Sequence, residues 1–491
     1  MRGWGIFFKK GGVLLLVGGM RPNILLITTD QQRYDSLGIN GNSVVETPNL
    51  DALAARGVNF DRGYVTCPVC IPARRSLLSG QHPRTHGLRW YQDGLDFDPP
   101  YTMPGILSDA GYQTQLVGKM HMHPAGKRYG FDHIILSETS DSRPTSPLQG
   151  RNDYARWLRR QGIDDHPHFH GISGNGRLVA PWPLADRFHQ NNWLAREAVQ
   201  FMCEDRDQTS PFFLHLSFFH PHPPLVPPRD YLERYLRKEM PGPLLGDWSI
   251  GGDCRPGYPA DASIGPFPRE IIERAQAGYY ALINHIDDCI AFVLQRWMEY
   301  GNPRAKEPLY ILFSSDHGEM LGDHHLFRKS LGYEASAHVP FFISGYNVDL
   351  PQGRRDTLCS WEDILPTVAD LAGVPLPGPC DGRSLVPACR GEEDEAAPDH
   401  LFGMCHAAFT NYFLVQGDYK YMWFPKTGEE QVFHLPSDPG EKKDLSGQAD
   451  LLEPLRATME KEVSIFEDIN FDRSKLRPCA NQTPRVMTGE G

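Results

Sequence analysis

The sequence predicts an α/β protein, an open sheet covered by helices, followed by a smaller unit built on strand hairpins. Three observations carry this. Asn23–Thr28 and Leu309–Ser314 are continuous apolar runs of the buried-strand type. Each delivers an acid just past its carboxyl end, Asp30 with Gln31 after the first and Asp316 with His317 after the second. Helical periodicity lies between them, over Asn49–Ala55 before Gly57 and over Glu270–Trp297, where Ile271, Ala275, Tyr279, Leu282, Ile286, Ile290 and Val293 recur on one face. Beyond about His400, Tyr412–Val415 and Lys420–Phe424 read as the strands of a hairpin. Ligands of open α/β sheets sit beyond the carboxyl ends of the strands, so the two acid-bearing ends are predicted to be neighbours within one domain.

Residues 1–19 carry Lys9 and Lys10 and then a short apolar run through Gly19, too short to span a bilayer, so no stable membrane insertion is expected. Either this stretch is a weak export signal or it simply precedes a domain whose first strand follows Met20; the second reading is preferred. The compartment is accordingly read as cytoplasmic, with secretion or a periplasmic location the alternative if residues 1–19 act as a signal. The 10 cysteines form no regular disulfide spacing and leave the compartment open. At 491 residues, 40% hydrophobic and 22% charged, the chain has ample material for a large core. A net charge of −12 argues against a nucleic-acid partner, although a local cluster of cations can still hold an anion.

Cys70-Ile71-Pro72-Ala73-Arg74 sets a nucleophile-grade residue just before a helix. Proline suits the first helical position, and Arg75–Ser79 closes on Gly80, so Cys70 is expected at the capping end, where unpaired amides and the helix dipole favour an anion. The oxygen donors Asp30, Gln31 and Asp316 suit a hard divalent cation, and His317 leaves its identity open. A lone Asp after a strand is more often a cap; two, with a nucleophile motif between them, are read as a metal site that also includes residue 70.

Cys70–Gly80 resembles the type I sulfatase signature, C-x-P-x-R followed by L-L-x-G. Further segments match that family in order: Gly118-Lys119-Met120-His121 resembles its G-K-x-H segment, Pro221-His222-Pro223-Pro224 its histidine loop, and Phe327–Glu334 the segment that supplies a lysine, here Lys329. Alternation along an extended stretch would place Lys119 and His121 on one face. The Asp-Gln and Asp-His pairs look most like the choline-sulfatase and phosphonate-monoester-hydrolase branches. The second branch typically lacks the lysine and histidine retained here, which favours sulfate esters.

The resemblance implies an alkaline-phosphatase-like fold with a central mixed, mostly parallel sheet, a catalytic domain over 20–390 and a C-terminal subdomain over 400–491, joined through the acidic stretch Gly391–Pro398. In that subdomain, Gln431–Leu435 followed by Asp438–Glu441 resembles the family's strand-and-turn signature. It also implies a nucleophile, formylglycine made from Cys70 by a formylglycine-generating or radical maturation enzyme, and a divalent metal, calcium first with manganese or magnesium as alternatives. Arg74 would orient the nucleophile, Lys119 and Lys329 would hold the sulfate oxygens, His222, alone or with Lys329, would protonate the leaving oxygen, and His121 would take the proton that releases sulfate from the covalent intermediate. Of the electrostatic terms, a metal supplies several kcal/mol against about 0.3–1 kcal/mol from a helix end. The substrate would be a small-molecule or carbohydrate sulfate ester, aryl or alkyl, and a homo-oligomer stays open.

Other readings compete. A phosphonate monoester or phosphodiester hydrolase would use the same site. Cys67-Pro68-Val69-Cys70 could be a C-x-x-C thiol or zinc pair, which leaves Asp30, Asp316 and Lys329 unexplained, and an unmatured chain would be a binding protein only. Asp164–His170, rich in alternating histidines, lacks paired zinc spacing and is read as a surface loop near the entrance.

Overall fold

The computed structural model of the protein describes residues 20–138, 152–163, 172–249, 261–302, 306–392, 397–407 and 410–464. Residues 1–19, the Asp164–His170 segment and residues 393–396 of the expected linker lie outside them. The main sheet comprises β1 (Asn23–Asp30), β2 (Val58–Tyr64), β3 (Gln113–Gly118), β4 (His133–Leu136), β5 (Phe212–Pro221), β6 (Leu309–Ser315), β7 (Phe341–Tyr346) and β8 (Gly353–Ser360). Its order is β4-β3-β5-β1-β6-β7-β2-β8. Only β7 runs against its neighbours β6 and β2; the other pairings are parallel, so the sheet is mixed and mostly parallel.

Both apolar runs that announced strands lie at the centre of this sheet because they are apolar on both faces. In β1, Ile24 and Leu26 pack with residues of helices Cys70–Ser79, Met103–Asp109 and Ile364–Ala372. Leu25 and Ile27 pack on the opposite face with residues of Pro48–Ala55, Gln190–Gln200 and Arg269–Arg296. Each such side chain is worth about 1.5–3 kcal/mol buried rather than exposed, which locks a strand with no polar face into the middle of the sheet. The register pairs Thr29 with Ser315 and Asp30 with Pro221. Since β1, β5 and β6 run the same way, Asp30, His222 and Asp316 leave the sheet from one edge.

Two local expectations are corrected. The long helix runs Arg269–Arg296, and Ile271 is 38% exposed while Ile272 is buried. The apolar stripe continues back from Ala275 to Ile272, which fills space left by Gly322; a Cβ there would lie 2.5 Å from the Ile272 side chain. The nucleophile helix is Cys70–Ser79 with Val69 at its cap, so Cys70 is its first residue and Pro72 its third. No amide of the first turn has an intrahelical acceptor, so proline is tolerated there as well as at the first position. The helix ends as expected at Gly80, with φ 66°.

The C-terminal sheet is antiparallel, β12-β11-β10-β9, formed by β9 (His400–Cys405), β10 (Asn411–Gln416), β11 (Tyr419–Phe424) and β12 (Glu429–His434). One face buries Phe413, Val415, Met422 and Phe433 against Tyr64, Met320, Leu331 and Tyr333, and the other is covered by Leu455 and Met459 of helix Ala449–Val463. Among the described residues no helix is long and apolar enough to cross a membrane.

Candidate active site

The carboxyl ends of β1 and β6 and the start of helix Cys70–Ser79 meet at one point. Asp30, Cys70, Asp316 and His317 are all buried, and each offers a ligand atom within 4.8 Å of the others. His317 donates Nδ1–H to Gly318 O (2.9 Å), which turns Nε2 toward Cys70 Sγ (3.2 Å) and the two carboxylates, 3.5 Å from Asp316 Oδ1 and 3.7 Å from Asp30 Oδ1. Gln31 takes a left-handed conformation, φ 71°. Its backbone N–H donates to Asp316 Oδ1 (3.1 Å), and its Oε1 accepts from Lys329 Nζ (2.8 Å), which also lies 3.1 Å from Cys70 Sγ.

Cations crowd the far side of the carboxylates. Arg74 donates Nε–H to Asp316 Oδ2 (3.0 Å), Nη2–H to Asp30 Oδ2 (3.3 Å), and Nη1–H to Lys119 O (2.9 Å) and Ser217 Oγ (3.0 Å). Lys119 Nζ donates to Asp30 Oδ2 and sits 5.1 Å above the Phe219 ring. Buried charges persist only when paired this closely. Burial and then Asp30 push the Asp316 carboxyl up to about 6 against His317 and Arg74. For Asp30, burial and Cys70 raise the carboxyl, but Lys119, His222 and Lys329 outweigh them and hold it below the carboxylate range. Burial likewise raises the Cys70 thiol, while Lys119, Lys329 and His317 bring it well below its ordinary value.

Two close acids, one of them pushed toward protonation by burial and by the other, together with a carboxamide oxygen and an imidazole nitrogen turned toward them, form a donor set that a divalent cation satisfies. The residues present therefore fit a metal, which Asp30, Asp316 and His317, with Gln31, would hold beside residue 70.

Above Cys70 opens a cavity of about 630 Å³. Its lining includes Lys119, His121, His222 and Lys329, with Trp90, Tyr91, Phe219 and Phe327 as aromatic wall. His222 donates Nδ1–H to Pro223 O (2.7 Å); burial and Lys329 press its pKa down to about 4 against Asp30. Ser173–Asn175 also border the cavity, and Ala407 of the C-terminal region reaches it too.

All the site residues singled out in the sequence converge here, with three differences in how they do so. Strand β3 ends at Gly118, and His121 has φ 56°, so alternation along a strand is not what aligns Lys119 with His121. Glu138 Oε1 accepts the backbone N–H groups of Met120 (2.8 Å) and His121 (2.7 Å) and holds that turn instead. The hydrogen bonds of Arg74 go to the two acids, Ser217 and the Lys119 carbonyl, so it positions the acids. Cys67 packs with Val69, Cys405 and Ala407, while the Cys70 thiol meets Asp30, His317 and Lys329; the C-x-x-C pair is not formed. Glu138 and Glu319 were missed. The sequence signal for Glu319 is an acid three residues beyond Asp316.

A mostly parallel α/β sheet thus gathers a buried acid pair, a cysteine at a helix start and two lysines at one edge, an arrangement suited to holding and cleaving an anionic ester. Residues 22–374 match the sulfatase family model, and residues 322–468 match that of the N-sulphoglucosamine sulphohydrolase C-terminal region. The chain is 36% identical over 474 residues to an arylsulfatase of Clostridium perfringens, covering 93% of this chain and 97% of that one. It is 30% identical to a choline-sulfatase of Rhizobium meliloti, covering 87% and 82%. The phosphonate monoester hydrolase of Agrobacterium radiobacter has the same fold, with a TM-score of 0.72, 24% identity and coverage of 90% and 95%. The chain belongs to the sulfatase family and is a sulfuric ester hydrolase.

Proposed function

We propose that Cys70 is matured to formylglycine and that its hydrated aldehyde cleaves sulfate monoesters through a covalent sulfo-enzyme. The observation that carries this reading is the place of Cys70: first residue of its helix, at the floor of the cavity, with Lys329 Nζ 3.1 Å and His317 Nε2 3.2 Å from its sulfur. A divalent cation on Asp30, Gln31, Asp316 and His317, calcium on the balance of hard oxygen donors with manganese or magnesium as alternatives, would supply electrostatic stabilisation of the charge on the sulfate oxygens.

The chain's own residues supply the remaining roles. One hydroxyl of hydrated residue 70 attacks sulfur in line, its proton passing to the adjacent Asp316 carboxylate, and the bond from sulfur to the leaving oxygen breaks. Lys119 and Lys329 neutralise the sulfate oxygens. His222, with Nδ1 committed to Pro223 O, passes a proton from Nε2 to the leaving oxygen. The negative charge of bound sulfate opposes the burial and Lys329 effects that press this imidazole toward the neutral form. His121 then takes the proton of the second hydroxyl; the bond from carbon to the bridging oxygen breaks, the aldehyde reforms and sulfate leaves without water attacking sulfur.

The test is co-expression with a formylglycine-generating enzyme and mass measurement of the tryptic peptide Gly63–Arg74. Sulfur replaced by aldehyde oxygen at residue 70, together with turnover of an aryl sulfate, supports the reading. An intact thiol in an active preparation sinks it. Rates on a phosphonate monoester and a phosphate diester in the same preparation rank the alternative hydrolase, which the shared fold of the Agrobacterium enzyme keeps in view.

A further inference from the structure

We infer that Glu319 is a positioning residue for the metal site: its buried carboxylate fixes which end of the Gln31 carboxamide faces the cation and Lys329. This rests on Gln31 being a metal ligand as proposed above. A carboxamide has two nearly isosteric ends, an acceptor oxygen and a donor NH2, and only the oxygen can bind a cation or accept from a lysine. Something must therefore choose between them.

The choice is made on the side away from the cavity. Gln31 Nε2 donates to Glu319 Oε2, which leaves Oε1 facing Lys329 Nζ at 2.8 Å. The backbone of Gln31 is held independently, through N–H to Asp316 Oδ1 (3.1 Å) and through its carbonyl to Tyr279 Oη–H (2.7 Å), so the side chain cannot adapt by moving its main chain. Glu319 is 3% exposed, and its other oxygen, Oε1, accepts the backbone N–H groups of Leu321 (3.0 Å) and Arg328. With Met320 N–H donating to Arg328 O (2.7 Å), these bonds close the loop that leads to Lys329. One carboxylate thus faces three N–H donors and no acceptor, which only an acceptor-only group satisfies. It orients Gln31 and anchors the residue preceding Lys329.

Glu319 can point back this way because Gly318 folds tightly under the segment after helix-turn residue Glu334: a Cβ at Gly318 would lie 2.1 Å from Ala335 O. The N–H groups of Gly318 and Glu319 donate to Ser336 O (2.7 Å) and Ala335 O (2.8 Å).

A defined consequence follows for Glu319→Gln. The new amide keeps an oxygen for Leu321 and Arg328 and turns its NH2 toward Gln31, where two NH2 groups would meet. Gln31 then flips, accepts from residue 319 and presents its own NH2 to Lys329 and the cation. The exchange Gln31→Glu with Glu319→Gln reverses this at constant charge: one oxygen of residue 31 accepts from the new amide and the other faces the cation.

The experiment is calorimetric titration of calcium, and separately manganese, into chelator-treated full-length wild type, E319Q and the E319Q/Q31E exchange, with a thermal melt of each. Wild type is expected to bind, E319Q to bind about 10–100-fold more weakly, the range seen when groups behind metal ligands are altered, and the exchange to recover most of the loss. Unchanged affinity in E319Q, or a folded exchange variant that recovers nothing, overturns the inference and leaves the metal site standing. If E319Q does not fold, a folded exchange variant with wild-type affinity supports the inference. An unfolded exchange variant assigns Glu319 to loop closure alone and overturns it. Wild type that binds neither ion overturns the metal reading itself.

Discussion

Lys329 Nζ reaches the sulfur of Cys70 at 3.1 Å across 259 positions of sequence, and the same ammonium donates to Gln31 Oε1 at 2.8 Å. One half-buried cation therefore touches both the residue proposed to carry the nucleophile and a residue proposed to hold the metal. Arg328 and Ser330 on either side of it have left-handed backbones, φ 73° and 81°, and Ser330 is tied by N–H to Pro68 O (3.1 Å), so the lysine is delivered by a shaped turn.

Cys70→Ala is expected to abolish turnover of an aryl sulfate while the protein stays folded, because the added space is one sulfur atom at the cavity floor. Cys70→Ser is expected to be inactive too unless the expression host matures serine. Steady-state rates with the mass of the Gly63–Arg74 peptide check both; activity retained in the alanine variant would remove the covalent route.

Arg74→Ala leaves Asp30 and Asp316 buried without their shared cation, a loss expected to cost about 3–5 kcal/mol in the metal-free protein. Arg74→Lys keeps the charge, but a single ammonium cannot span Asp30, Asp316, Ser217 and the Lys119 carbonyl as the guanidinium does. It should fall between wild type and alanine in a denaturant melt. Equal midpoints for wild type and Arg74→Ala would contradict the pairing.

His222→Gln is expected to lower kcat/KM by about 10²–10⁴, the usual reach of a general acid. The loss should shrink for a nitrophenyl sulfate, whose leaving oxygen needs little protonation, and be greatest for an alkyl sulfate. A uniform loss across leaving groups would place His222 in sulfate binding instead.

Acid should weaken the contact between the segment after helix Cys70–Ser79 and strand β9. His82 accepts the Arg84 N–H at Nδ1 (3.1 Å) and donates from Nε2 to Phe402 O (2.9 Å), so both nitrogens are used only in the neutral ring. Burial and then Arg84 lower its pKa to about 4. In the unfolded chain this group binds a proton below about 6.5, so its contribution to stability is full above that pH and declines as pH falls toward 4, at about 1.4 kcal/mol per pH unit. His82→Gln should be less stable at pH 7 and show a slope shallower by that amount between pH 6 and 4.5 in urea titrations. Parallel slopes would show that the ring is not the titrating group.

Much of this protein was determined locally. Asn23–Thr28 and Leu309–Ser314 could be read as central strands because they carry no polar face, and a chain that buries both faces of a strand has few places to put it. The Cys70–Gly80 signature, the acids after each strand and the ordered lysine and histidine segments are likewise local patterns, and they pointed to the family and to the residues that meet beside the cavity. The details of orientation were decided elsewhere. Whether Ile271 or Ile272 faces the core depended on Gly322 leaving room. The backbone of His121 is held by Glu138, and the direction of the Gln31 carboxamide by Glu319, 288 positions away. Arg74 lies behind the acids because Ser217 and the Lys119 carbonyl complete its hydrogen bonds there. Such choices depend on which unpaired donors and acceptors meet when distant segments are buried together, and only the tertiary structure supplies those partners.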